Sequence, residues 1–97
     1  MARYDKKSLL KDVDKRRKKL RSLSDDEFKK EFSHVRKLLD MSLPACLRRR
    51  TETILKSKNP EKVESEIERF NYEAYWYQLL LDFDKEVWRE AKKRKVA

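Results

Sequence analysis

One histidine and one cysteine are the only side chains in these 97 residues suited to act as an imidazole base or a thiolate nucleophile. His34 stands beside Val35, at the border of an apolar stripe formed by Phe28, Phe32, Val35 and Leu39. A boundary side chain is expected there, and a single histidine excludes a multi-histidine metal site. Cys46 has no second cysteine to pair with and reads as a small, buried, apolar residue. Its solitude fits a reducing compartment. A Cys46–His34 pair would lack a third polar group to orient the imidazole. Asp82, Asp84 and Glu86 alternate, and on a helix a spacing of two sends them to different faces, away from any shared cation. Asp25-Asp26-Glu27 belongs at the positive end of a helix dipole. The absence of glycine removes any glycine-rich phosphate loop. No catalytic residue, metal or cofactor is expected.

The chemistry that the residues do offer is cationic. Lys and Arg number 27 against 18 Asp and Glu, a net +9. Residues 1–23 hold ten Lys/Arg and three Asp/Glu (+7), residues 43–59 come to +4, residues 60–86 to −5 and residues 87–97 to +4. The densest run is Lys15-Arg16-Arg17-Lys18-Lys19-Leu20-Arg21. Lys7, Lys11, Lys15 and Lys18 or Lys19 align at helical spacing opposite Leu9, Val13 and Leu20. Such a ridge repels itself by about 0.2–0.5 kcal/mol per like-charged pair, a cost that a phosphate backbone would offset. Arg48-Arg49-Arg50 and Lys92-Lys93-Arg94-Lys95 are two further clusters, and the last resembles a short nuclear-localisation signal. The expected phosphate contacts are Lys7, Lys11, Lys15, Arg17, Lys18, Lys19, Arg48, Arg49, Lys92, Lys93 and Arg94. Arg16 and Arg50 lie nearer the apolar seam and read instead as structural ion-pair partners whose stems cover apolar surface. Phe70, Tyr72, Tyr75, Trp76 and Tyr77 form an aromatic cluster that reads mainly as core, with Tyr72 and Tyr75 the exceptions that could stack on bases. The carboxylates around that cluster (Glu61, Glu64, Glu66, Glu68, Glu73) suit a basic protein partner better than nucleic acid.

Positioning those groups calls for helices. Large apolar residues recur at helical spacing, and a sheet of this size would need glycine-bearing turns. The expected fold is all-α, a compact four-helix bundle with a long, projecting C-terminal helix, in one domain over 1–97. The spans are about 5–22, 24–41, 43–57 and 60–94, with a basic tail at 92–97. Asp5 preceded by Tyr4 starts the first helix, a Ser24/Glu27 capping box the second, Pro44 the third and Asn59-Pro60 the fourth. The fourth helix is apolar on nearly every side between Tyr72 and Phe83, as a central post should be. At about 50 Å it outreaches its neighbours, so its C-terminal turns, with Val87 and Trp88, are expected to project and to offer a homodimer contact.

These features point to a non-catalytic protein that grips the phosphate backbone of RNA or DNA with little base-specific readout, since no recognised base-reading motif is present. The alternative is a protein–protein adaptor or inhibitor subunit, docking through helix 60–94 on a larger nucleic-acid-associated complex. No apolar run reaches membrane-spanning length, and Met1-Ala2-Arg3-Tyr4-Asp5 carries no signal-peptide core. An intracellular location, nuclear or cytoplasmic, is expected, with no membrane partner.

Overall fold

Asp5, Ser24 and Asn59 each stop the chain from continuing as coil into the helix that follows. The computed structural model describes residues 4–96; Met1, Ala2 and Arg3, which carry part of the N-terminal expectation, and Ala97 lie outside the described residues. Helix α1 (Lys6–Lys19) begins where Asp5 Oδ1 accepts the Lys7 N–H at 3.0 Å, and it tightens into a 3₁₀ turn at Leu20–Ser22. Helix α2 (Asp25–Lys37) opens on the complete capping box: Glu27 N–H donates to Ser24 Oγ at 3.2 Å and Ser24 N–H to Glu27 Oε1 at 3.0 Å. Helix α3 is Leu43–Lys56, and α4 (Pro60–Lys93) starts where Asn59 Oδ1 accepts the Glu61 N–H at 3.0 Å. Leu23, just before the capping box, packs partly buried against the core.

The expected break between the second and third helices does not exist. Leu38–Ser42 is a π-helical segment that joins α2 to α3, so residues 25–56 form one rod and the molecule has three rods, not four. The apolar stripe explains this. Val35, Leu39, Leu43 and Leu47 are four residues apart for three successive turns, and a 3.6-residue turn would rotate them off the seam. A wider turn keeps them in line. It also closes on Leu43 N–H donating to the Leu38 carbonyl, just before Pro44, whose missing N–H and bulky ring would otherwise disturb an α-helix.

Contacts along α4 fix the arrangement. The Tyr4 ring lies 5.3 Å from Tyr72, the Lys6 ammonium sits over Tyr75, Arg17 meets Glu86, and Arg94 reaches the carbonyls of Leu20 and Arg21. Helix α1 therefore runs parallel to the C-terminal two-thirds of α4. The α2–α3 rod runs antiparallel, from Asp25 beside Arg94 to Arg50 beside Glu66 and Glu73. Val13, Phe28, Val35, Leu80, Phe83, Val87 and Ala91 fill the core, each no more than 1% exposed. This core corrects the expectation for the C-terminal turns of α4: Val87 and Ala91 are fully covered, because α1 ends and α2 begins there. The opposite end projects, where α3 and the first turns of α4 extend beyond α1 as a two-helix hairpin within overall extents of 51 × 27 × 17 Å.

Candidate nucleic-acid interface

The outward ridge of α1 is present as expected. Lys7, Lys11, Lys15, Lys18 and Lys19 are all exposed, and among the described residues none has an ion-pair partner. Two carboxylates share this helix, but both are occupied. Asp12 accepts from Arg16 Nε at 3.2 Å and Asp14 from Arg17 Nη1 at 3.4 Å. The arginines thus pair with the acids, Arg16 half-buried and Arg17 exposed, while the lysines stay unpaired in water. Arg16 continues to Glu31 on α2 at 2.7 Å, which ties the two helices together beneath the ridge. That tie bears out its structural reading. Arg17 departs from expectation, since Glu86 on α4 and Asp14 on its own helix engage its guanidinium.

Because α1 and α4 are parallel, their C-terminal ends coincide. The run 15–21 and the run 89–95, about seventy residues apart in the chain, meet at one end of the molecule. Between them lies a cleft of about 170 Å³ lined by Arg17, Leu20, Arg21, Glu86, Arg89, Glu90 and Lys93. Its carboxylates are committed, Glu86 to Arg17 and Glu90 to Arg94. Arg21, Arg89 and Lys93 are exposed, without ion-pair partners among the described residues, and Lys92 and Lys95 stand beside them.

Arg94 holds this end closed. Its Nε donates to Glu90 at 2.9 Å, Nη1 to Asp25 at 3.1 Å and Nη2 to the Leu20 and Arg21 carbonyls at 3.3 Å, and its guanidinium lies 4.8 Å over the Phe28 ring. The hydrogen bond to Glu90, then that to Asp25, keeps the group above its ordinary pKa. With a side chain 12% exposed, Arg94 is a clasp on three helices, a different role from the phosphate contact expected of it.

Arg48 and Arg49 are exposed but elsewhere. Their neighbour Arg50 is level with Glu66 and Glu73, roughly 20 residues along α4 from the basic end, or about 30 Å. Arg50 itself is a buried tie: Nη1 donates to Glu66 at 3.1 Å and Nε faces Glu73 at 3.4 Å. Burial opposes its charge, but the Glu66 hydrogen bond and the two carboxylates outweigh that and raise its pKa. Arg36 and Asp84 make a third such tie.

The basic surface also includes residues that the sequence pattern did not single out. Lys29, Lys30 and Lys37, with Ser33 and His34, line a shallow concavity on the outer side of α2. Their spacing opposite Phe28 and Val35 was the available signal. Arg21 and Arg89 gave none, since only the parallel packing of α1 on α4 brings them together. Of the aromatics, Tyr72 lies against Tyr4 and Tyr75 under Lys6, and both are half-buried. Among the described residues no group of His, Cys, Asp and Glu has a metal-site arrangement, and no helix is long and apolar enough to cross a membrane. No known protein family, curated protein or solved structure matches this chain.

Proposed function

We propose that this protein binds the phosphate backbone of RNA or DNA, without catalysis, through one continuous basic surface. That surface comprises the lysine ridge of α1 and the basic end shared by α1 and α4. The observation that carries the reading is the sorting of charge. Asp12, Asp14, Glu31, Glu86 and Glu90 are each bonded to an arginine, while the lysines of α1 and the pair Lys92–Lys93 remain exposed without such partners. Residues 4–42 and 74–96 together carry +7, against +1 for the hairpin at 43–73. A field of this kind attracts a polyanion and steers its approach. It carries no base-reading geometry, so binding is expected to be similar across sequences.

The test is anisotropy of labelled duplex RNA and duplex DNA with the Lys15→Glu/Lys18→Glu variant. Both side chains are exposed, so the fold should be untouched while affinity falls equally for every sequence. Lys62→Glu, on the hairpin, is the control and should do little. Absence of binding at low salt would turn the reading to a protein partner.

A further inference from the structure

Helix α4 has a third face that α1 and the α2–α3 rod leave largely open, with Trp88 at its margin, where its indole meets Phe32 edge-on at 5.1 Å and lies under Arg36 of α2. Ile67, Ala74, Leu81 and Trp88 are spaced by seven residues, so they form one stripe that drifts by only about 20° per heptad. Ile67 is 44%, Leu81 42% and Trp88 38% exposed, and Ala74 is half-buried. Over 21 residues the stripe is about 32 Å long. An apolar seam of that length at heptad spacing is what one helix offers another.

The flank of the seam identifies the occupant. Four residues after each stripe residue, and once before the first, come Glu64, Asn71, Gln78, Lys85 and Lys92. The side chains along this edge pass from anionic through neutral amides to cationic. We infer that the seam pairs with the α4 seam of a second copy of this chain, antiparallel, about a twofold axis near Gln78. In that register Glu64 meets Lys92 of the second copy, Asn71 meets Lys85, and Gln78 meets its own equivalent. Ile67 lies opposite Trp88, and the small Ala74 opposite the large Leu81. A parallel pairing would set Glu64 against Glu64 and Lys92 against Lys92, so the gradient selects the antiparallel one. A concavity of about 460 Å³, lined by Pro60, Val63 and Ile67 among others, lies beside Ile67, the residue set opposite the second copy's Trp88 in this register. The arrangement is isologous and closes on itself, which gives a dimer and not a filament. It does not require the nucleic-acid reading, although Lys92 stands at the margin of both surfaces.

Sedimentation of the full chain tests the inference. A single-helix seam lies at the small end of stable interfaces, so the series should run from about 1 µM to about 500 µM. The parent should pass from monomer to dimer within that range. Leu81→Glu should remain monomeric at concentrations at least about tenfold higher, with its melting curve at low concentration unchanged, because Leu81 is already exposed in the monomer. Glu64→Lys and Lys92→Glu should each weaken association, and their combination should restore it. In a Cys46→Ser background, Gln78→Cys should form an interchain disulfide readily, whereas Ile67→Cys should not pair with itself. A parent that stays monomeric throughout, a dimer indifferent to Leu81→Glu, or self-pairing of Ile67→Cys equal to that of Gln78→Cys would overturn the inference.

Discussion

Truncating Arg50 to alanine isolates what holds the projecting hairpin together. Its side chain is 11% exposed and bridges Glu66 (16%) and Glu73 (10%) across α3 and α4. Removing the guanidinium strands two carboxylates in a largely water-free contact. Breaking a buried ion pair from one side usually costs about 3–5 kcal/mol. Two features lower that here. Glu73 keeps Arg69, whose Nε lies 3.2 Å away, and Arg69 is 44% exposed, so the pair can relax toward solvent. Glu66 is near enough to the surface to regain water. A loss of about 3 kcal/mol follows, equivalent in a domain of this size to a melting temperature lower by roughly 12–24 °C. Thermal unfolding followed by circular dichroism measures it, and amide exchange should quicken first in α3 and the early turns of α4. The triple variant Arg50→Met/Glu66→Met/Glu73→Leu should recover most of the loss, since apolar replacement removes the stranded charges. If Arg50→Ala melts within about 2 °C of the parent, well inside the shift expected, or the triple variant is no better than the single one, the tie is not what holds the hairpin.

Three other outcomes follow from the fold. Arg94→Ala should lower the melting temperature clearly, while Lys92→Ala and Lys93→Ala, on exposed side chains, should leave it nearly unchanged. Deleting Met41, which is 65% exposed, should be tolerated about as well as Met41→Ala, because Val35, Leu39, Leu43 and Leu47 are then spaced by four, three and four residues and an uninterrupted α-helix keeps them on one seam. A melting temperature far below that of Met41→Ala would count against the π segment as the element that absorbs the extra residue. At the start of α2, the Ser24 N–H, followed by the Ser24 hydroxyl, holds the Glu27 carboxyl below its ordinary pKa. A depressed folded value lends stability that is present above the unfolded pKa and lost as pH falls through the folded one. The deficit of Glu27→Ala should therefore be full at neutral pH and shrink on the acid side of the ordinary glutamate range, as melting curves across pH will show.

Much of this molecule could be read from local signals. Capping residues act over three or four positions, so Asp5, Ser24 with Glu27, and Asn59 marked helix starts that the structure keeps. The apolar stripes of α1 and α2 named the buried residues Leu9, Val13, Leu20, Phe28, Val35 and Leu39 correctly. The signal at Pro44 was real but ambiguous: proline opens a helix, and it is also tolerated after a widened turn, and only the four-residue drift from Val35 to Leu47 favours the latter. Parallel alignment of α1 and α4 was invisible, because it depends on long-range pairs such as Arg17 with Glu86 and Arg94 with Leu20. The composition of the basic end was lost with it. Arg16 and Arg50 were legible as ties from their places beside apolar residues. Arg17 and Arg94 were not, since beside their local carboxylates Asp14 and Glu90 they take Glu86 and Asp25, each about seventy positions away.

The central claim is that two distant basic runs make one phosphate-binding surface, and the salt dependence of affinity tests it most directly. With about five phosphates contacted on duplex DNA, log affinity should fall against log salt with a slope of about −4.5. Reversing Lys15 and Lys18 to Glu on α1, or Lys92 and Lys93 to Glu on α4, should each flatten that slope by about one to two. Reversing Arg48 and Arg49, about 30 Å away along α4, should change it least. Flattening by both of the first two variants and little by the third is the predicted result. A slope governed by Arg48 and Arg49 and indifferent to either of the other pairs, or no binding to RNA or DNA at low salt, would contradict the account.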